Sequence, residues 1–345
     1  MRLQFFFLAL AFCATSSVAT PSNPKLVCVQ ERLKELGYDA GPSDGLWGGK
    51  TARASQRLIS EFEVFAPLPL PALTEANTNE WCEWFGGEIV SGVLLVESLD
   101  AKSFTKLIAI TTGKAAELRL AKNISGEIAV NLPIFFHGDD PEKKMVDTDA
   151  IWVRYRQSIP IKFSVSTRPF SKDRNDWRQP EEWMYHSAVM DALKERYSWE
   201  GFSLFGHSGG GHLSMALAQQ RNDVYCVVLA APKLAVREHY RQHEGGVPKR
   251  GQKQYDPLDY DIPSTTTISV AYDLNDDVVK QGGVLPFVAK AENSTGVHKI
   301  TSTKDAVNHD SRLTYLEQSG SVGSAHNAPI HKLSALWRNT CVSTD

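Results

Sequence analysis

No dense run of lysine or arginine occurs in the 345 residues, and 37 basic against 40 acidic side chains leave a formal charge of −3. Without a basic patch to neutralise phosphates, nucleic acid and anionic membrane surfaces are poor candidates as main partners. Beyond the N-terminus no segment approaches the roughly 20 apolar residues of a bilayer span, so stable membrane insertion is not expected. The chain also lacks a Gly-Lys-Ser/Thr phosphate loop, a dinucleotide fingerprint, internal repeats and low-complexity tracts. His239 and His243 have the helical spacing of metal ligands, but Tyr240 stands where a zinc protease carries its glutamate. No cofactor or metal is therefore expected. What remains is ordinary globular composition, 42% hydrophobic and 22% charged, with length for one large domain and a small one.

Arg2 is followed by an apolar stretch from Phe5 to Ala14 and then by the small residues Ser17, Val18 and Ala19. The pattern predicts a signal peptide over residues 1–19, cut after Ala19, and hence a secreted or periplasmic protein. Cleavage removes Cys13 and leaves Cys28, Cys82, Cys226 and Cys341, an even number in a compartment that permits disulfides. Three pairings are open. Cys28 with Cys82 would staple the small N-terminal module, leaving Cys226 and Cys341 to join a strand of the large domain to its last helix; a buried free thiol at Cys226 is the alternative.

Leu26, Val29, Leu33 and Leu36 recur at helical spacing before Gly37 ends the helix, and a turn dense in Gly, Pro and Asp leads to a second helix from Lys50. Residues 63–74 carry three prolines and read as a semi-rigid connector. From about residue 88 the texture changes: apolar, β-branched runs at 89–96, 128–136, 159–165, 202–205, 224–229, 266–272 and 297–302 alternate with helical stretches. That alternation predicts βαβ units and a mostly parallel sheet flanked by helices, an α/β domain over 88–345 behind a small all-α domain over 25–85.

Gln30-Glu-Arg-Leu-Lys-Glu-Leu-Gly-Tyr38, Asp44-Gly-Leu-Trp-Gly48 and Lys50-Thr-Ala52 together resemble the peptidoglycan-binding-like domain over about residues 25–62. The resemblance implies peptidoglycan or glycan binding; a plain helical spacer is the other reading.

Gly206-His-Ser208-Gly-Gly210 lies between an apolar strand and a helix with Leu213, Ala216 and Leu217 on one side. A strand-to-helix turn that sharp demands glycine at its flanks and lifts the serine into an open site at a helix N-terminus. Ser208 is the candidate nucleophile. His207, expected to be exposed, and His212 read as structural or substrate-lining. A serine hydroxyl needs a base, and the base needs a carboxylate. The candidate acids lie at the end of an apolar strand in Asp273-Leu-Asn-Asp-Asp-Val-Val279: Asp276, chosen on the family resemblance given below, with Asp277 and then Asp273 in contention. The candidate base is His309, a short loop after the strand at 297–302; His326, shortly before the C-terminal helix, is its rival, ahead of His298 and His331. The main-chain N–H of Gly209 would serve an oxyanion hole.

Ser208, Asp276 and His309, in that order, with the His137-Gly138 loop ahead of them, resemble the α/β-hydrolase superfamily over about residues 88–341. The resemblance implies a serine hydrolase that cleaves an ester or amide of a small or acylated substrate through an acyl-enzyme. It also implies a second oxyanion donor, the Asp139 N–H. In Asp273-Leu-Asn-Asp276 an aspartate replaces the family's usual glycine. Residues 232–263 would form a lid. A serine peptidase, or a wall-binding protein with a vestigial hydrolase domain, are the competing readings.

Overall fold

The computed structural model describes residues 22–62, 72–85, 132–138, 180–243, 254–307, 310–320 and 325–341, and between 89 and 166 also the sheet stretches 89–90, 93–98, 104–111, 114–121 and 163–166. The proposed signal peptide, the proline-rich connector up to residue 71, Asp139 and His309 lie outside the described residues, as does the middle of the proposed lid, 244–253.

Helix α1, Pro24–Glu35, starts where Asn23 accepts the N–H groups of Lys25 and Leu26 and proline takes the first helical position, whose N–H would be orphaned anyway. It is followed by α2, Gly49–Phe62, and α3, Thr78–Phe85. The sequence predicts only the first two; α3 adds Trp81 and Phe85, both fully buried, to a core of Val29, Leu33, Leu36, Tyr38 and Leu58. A Cys28–Cys82 disulfide ties α1 to α3. Inside the turn the buried Gln30 donates to the Asp44 carboxylate (3.3 Å), the Leu46 carbonyl (3.0 Å) and the Thr51 hydroxyl (3.2 Å), and accepts from the Gly45 N–H (3.0 Å).

The large domain is built on one eleven-stranded sheet. Its strands are β1 Ile89–Val90, β2 Val93–Ser98, β3 Phe104–Thr111, β4 Lys114–Ala121, β5 Leu132–Phe136, β6 Phe163–Ser166, β7 Phe202–His207, β8 Val224–Ala230, β9 Thr267–Asp273, β10 Val297–Ile300 and β11 Leu313–Gln318. The order is β1-β2-β3-β4-β6-β5-β7-β8-β9-β11-β10. Strands β1 to β4 form antiparallel ribbons, and β4 joins β6 antiparallel. From β6 to β10 every pairing is parallel.

Helices of the large domain are α4 Pro180–Tyr197, α5 Gly209–Gln220, α6 Val236–His243, α7 Leu285–Ser294 and α8 Leu333–Thr340. Central β7 is buried at every position, as a strand covered on both faces must be. Its alternation assigns the faces: Phe202 and Leu204 pack with Val189, Leu213 and Leu217 of α4 and α5, while Phe205 packs with Leu333 and Leu336 of α8. A second disulfide, Cys226–Cys341, ties β8 to the end of α8.

Several strands differ from the sequence expectation. The run expected at 89–96 is two short antiparallel strands, β1 and β2. The hairpin β3–β4 is not among the expected runs: Leu107-Ile-Ala-Ile110 of β3 is apolar, but β4 mixes charged with small residues. The strand β11 was not predicted either. It lies between β9 and β10, in register Leu313↔Ile268 and Leu313↔Val297, and so displaces β10 to the sheet edge.

Candidate active site

The tips of β5, β7, β8, β9 and β11 all end at one edge of the sheet, the C-terminal edge where open α/β folds place their sites. At the end of β7 the chain turns into α5 within one residue. Ser208 makes that turn with φ 53° and ψ −118°, a conformation that costs a non-glycine residue about 1–3 kcal/mol. The turn is held on both sides: the Ser208 N–H donates to the Ala230 carbonyl of β8 (2.9 Å), and the Ser208 carbonyl accepts from the Gly211 N–H (3.0 Å). At Gly210 a Cβ would run into the carbonyl oxygens of Phe136 and His137, so α5 can approach β5 only with glycine there.

The loop after β5 comes back to the same point. A Cβ on Gly138 would stand 3.2 Å from the Ser208 Cβ and 2.9 Å from His207 Nδ1, so the His137-Gly138 segment lies against the serine. Gly209, buried, opens α5. Asp139 lies outside the described residues.

Beyond β9 the chain forms a tight acidic turn. Asp276 is buried, with its Oδ1 accepting the N–H groups of Val278 (2.8 Å) and Val279 (2.9 Å). Its Oδ2 accepts from Nδ1 of His326 at 2.9 Å. Tyr272 donates its hydroxyl to the Val279 carbonyl (2.9 Å) and so pins the same turn; burial raises this phenol well above its ordinary pKa. Asp277 is exposed. Asp273, where a glycine was expected, is a tie between strands: its carboxylate accepts the N–H groups of Asn275 (2.9 Å) and Gly320 (2.8 Å), locking the β9 turn to the segment after β11.

The structure therefore brings Asp276 together with His326, which follows β11, the strand the sequence pattern did not reveal. His309 precedes β11 and lies outside the described residues. His298 bonds the Asp305 carbonyl on edge strand β10, and His331 sits in the one-turn segment before α8.

His207, expected exposed, is buried. Its Nε2 donates to the main-chain carbonyl of His326 (3.1 Å), and the two imidazoles lie 4.7 Å apart between centroids at 50°. Burial first, and the neighbouring His326 second, push its pKa down to about 3, which keeps the ring neutral. His212, also buried, lies on α5 with its Nδ1 at the Lys233 carbonyl (3.2 Å).

The described part of the 232–263 insertion packs on the turn after the acid: Leu234 and Ala235 donate to the Gly283 carbonyl, and Gln242 accepts from the Gly282 N–H. Asp256 caps α6 by accepting from Val236 and Arg237. Among the described residues no cluster of three or more His, Cys, Asp or Glu is arranged to hold a metal, and no helix is long and apolar enough to cross a membrane.

No protein-family model and no curated protein matches the sequence. Solved structures do. An acylaminoacyl peptidase from Pyrococcus horikoshii superposes with a TM-score of 0.50 at 13% identity, over 71% of this chain and 44% of that one. The fold is that of the α/β-hydrolases. An esterase from Pyrococcus furiosus aligns over 79% of this chain and 98% of its own, at 12% identity and a TM-score of 0.46. An acetyl xylan esterase from Thermoanaerobacterium aligns over 75% and 94%, at 12% and 0.41. At such identities the likeness speaks to architecture, and the activity has to be argued from the site.

Proposed function

We propose that the chain is a serine hydrolase that cleaves an ester, or less readily an amide, with Ser208 as nucleophile, His326 as base and Asp276 as the residue that orients the base. The observation that carries this reading is the 2.9 Å bond from His326 Nδ1 to a buried Asp276 whose other oxygen is already filled by two main-chain N–H groups. A neutral imidazole that donates from Nδ1 keeps its lone pair on Nε2, the tautomer a general base requires. The Ser208 elbow supports the same reading, since a strained turn between strand and helix presents the hydroxyl at a helix N-terminus.

In this mechanism the Ser208 oxygen attacks the acyl carbon while His326 Nε2 takes its proton. The carbonyl π electrons move to oxygen, where the N–H groups of Gly209 and Asp139 are the proposed donors. Collapse expels the alcohol or amine, which receives the proton from His326. Water, deprotonated by the same imidazole, then attacks the acyl carbon, and the acyl–oxygen bond to Ser208 breaks as that oxygen takes the proton back from His326, releasing the acid. His309, the base first suggested by spacing, has no role in this scheme.

Around this chemistry we place an exported enzyme: the N-terminal apolar segment supports a secretory signal, and the disulfides support an oxidising compartment. The module over 25–85 would localise it to peptidoglycan or a related glycan. Labelling by a fluorophosphonate, with hydrolysis of p-nitrophenyl esters compared against peptide p-nitroanilides, tests the enzyme. The wild type should label and turn over esters faster, and Ser208→Ala should do neither. An inert wild type would leave only a wall-binding protein. Pull-down on purified sacculi, with and without residues 20–85, tests the module.

A further inference from the structure

The second imidazole at the site, that of His207, is not used by the chemistry above. It belongs to β7, a strand buried at every position, and immediately precedes the nucleophile. Its partner across the site is a main-chain atom of the base itself, the His326 carbonyl, 119 residues away in sequence and 3.1 Å away in space. His326 comes from a turn rather than from a strand or helix, so no ladder of main-chain bonds fixes it. Its side chain is anchored to Asp276 and its backbone to His207.

We propose that His207 is a positioning residue for the base: its Nε2–H, donated to the main-chain oxygen of His326, fixes the turn that carries the catalytic imidazole. This rests on the reading of His326 as base and extends it. The same ring also touches the other arm of the site, since its Nδ1 faces Gly138 so closely that a Cβ there would lie 2.9 Å away. His207 thus spans from the oxyanion loop to the base behind the serine. The donor is present only while Nε2 keeps its proton, and the neutral ring can hold that proton on either nitrogen. The acceptor at Nε2 and the tight packing at Nδ1 both favour Nε2. The titratable groups around it are His326, Asp276 and His137. If the ring were merely filling space, another ring of similar shape would do as well.

His207→Phe keeps an aromatic ring and loses the donor, while His207→Gln returns an N–H near the position of Nε2. Because misplacing a catalytic group by about 1 Å can cost about a hundredfold, His207→Phe should lower kcat for a p-nitrophenyl ester by about tenfold to a hundredfold. KM should change little, fluorophosphonate labelling should slow in proportion, and His207→Gln should recover most of the loss. Unchanged kcat in His207→Phe, or equal losses in both variants, would overturn the proposal. Ring-nitrogen NMR of the unsubstituted protein gives a second reading that needs no folded variant: His207 should remain neutral at pH 5 with its proton on Nε2. A neutral ring with its proton on Nδ1 would overturn it. A wild type that neither labels nor hydrolyses overturns the hydrolase reading itself, and the positioning role with it; active wild type with an indifferent His207→Phe overturns the positioning role alone.

Discussion

The buried amide of Gln30 and the buried carboxylate of Asp276 hold the two parts of this chain in opposite ways. Gln30 finds Asp44, Gly45, Leu46 and Thr51 within 21 residues of itself, so the first turn of the module closes on local chain. Asp276 takes two N–H groups from its own turn but meets its imidazole 50 residues on, after two more strands, β10 and β11, have joined the sheet. The first cluster stabilises a turn and can form as soon as two helices meet. The second exists only when β9 and β11 are in register, which makes it a readout of the finished fold.

Substitutions should separate the two clusters. Asp276→Asn keeps the shape but leaves His326 without the acceptor that fixes its tautomer, and kcat should fall by about 10⁴-fold. The exposed neighbour offers the control: Asp277→Asn should stay within about twofold, since no partner of the site depends on it. Gly138→Ala drives a methyl group toward His207 and Ser208 and should cost about a hundredfold in kcat/KM for the same ester, with the fold intact by circular dichroism.

The module should answer in stability instead of rate. Removing the Cys28–Cys82 bridge frees a loop of 54 residues, and replacing both cysteines with serine should cost the module about 2–4 kcal/mol in denaturant unfolding while ester turnover stays unchanged. Gln30→Leu leaves the Gly45 N–H and the Thr51 neighbourhood without its amide and should cost about 1–3 kcal/mol by the same assay.

Acid should weaken the sheet domain through His207. Its folded pKa lies below the unfolded value near 6.5, so the unfolded chain binds the proton first. The contribution is complete above pH 6.5 and is lost as pH falls toward 3. His207→Gln should flatten part of that acid slope in a series of melting temperatures.

What could be read before folding follows the same division. The helices of the module, its apolar spacing and the Asp44-Gly45 turn are local patterns, and Leu26, Val29, Leu33 and Leu36 are all buried as their spacing requires. The glycine-flanked Ser208 and the apolar strand before Asp276 are local as well. The third helix was hidden because Thr78–Phe85 is short and its two aromatic anchors close on α1 at long range. The histidine that meets Asp276 was obscured by β11. Leu313-Thr-Tyr-Leu-Glu-Gln318 carries polar residues and follows a loop of Asn, His and Asp, so β10 looked like the last strand and the next histidine, His309, looked like the base. The insertion of β11 between β9 and β10 brings the segment after it, with His326, to the turn of Asp276, and this is what the proposed function builds on.

The central claim is that the imidazole on Asp276 is the one that activates Ser208. Steady-state ester hydrolysis by His326→Ala and His309→Ala, measured side by side, tests it most directly. A loss of at least about 10³-fold in kcat for His326→Ala, with His309→Ala within about threefold of wild type, is the predicted result; the reverse pattern would contradict the account.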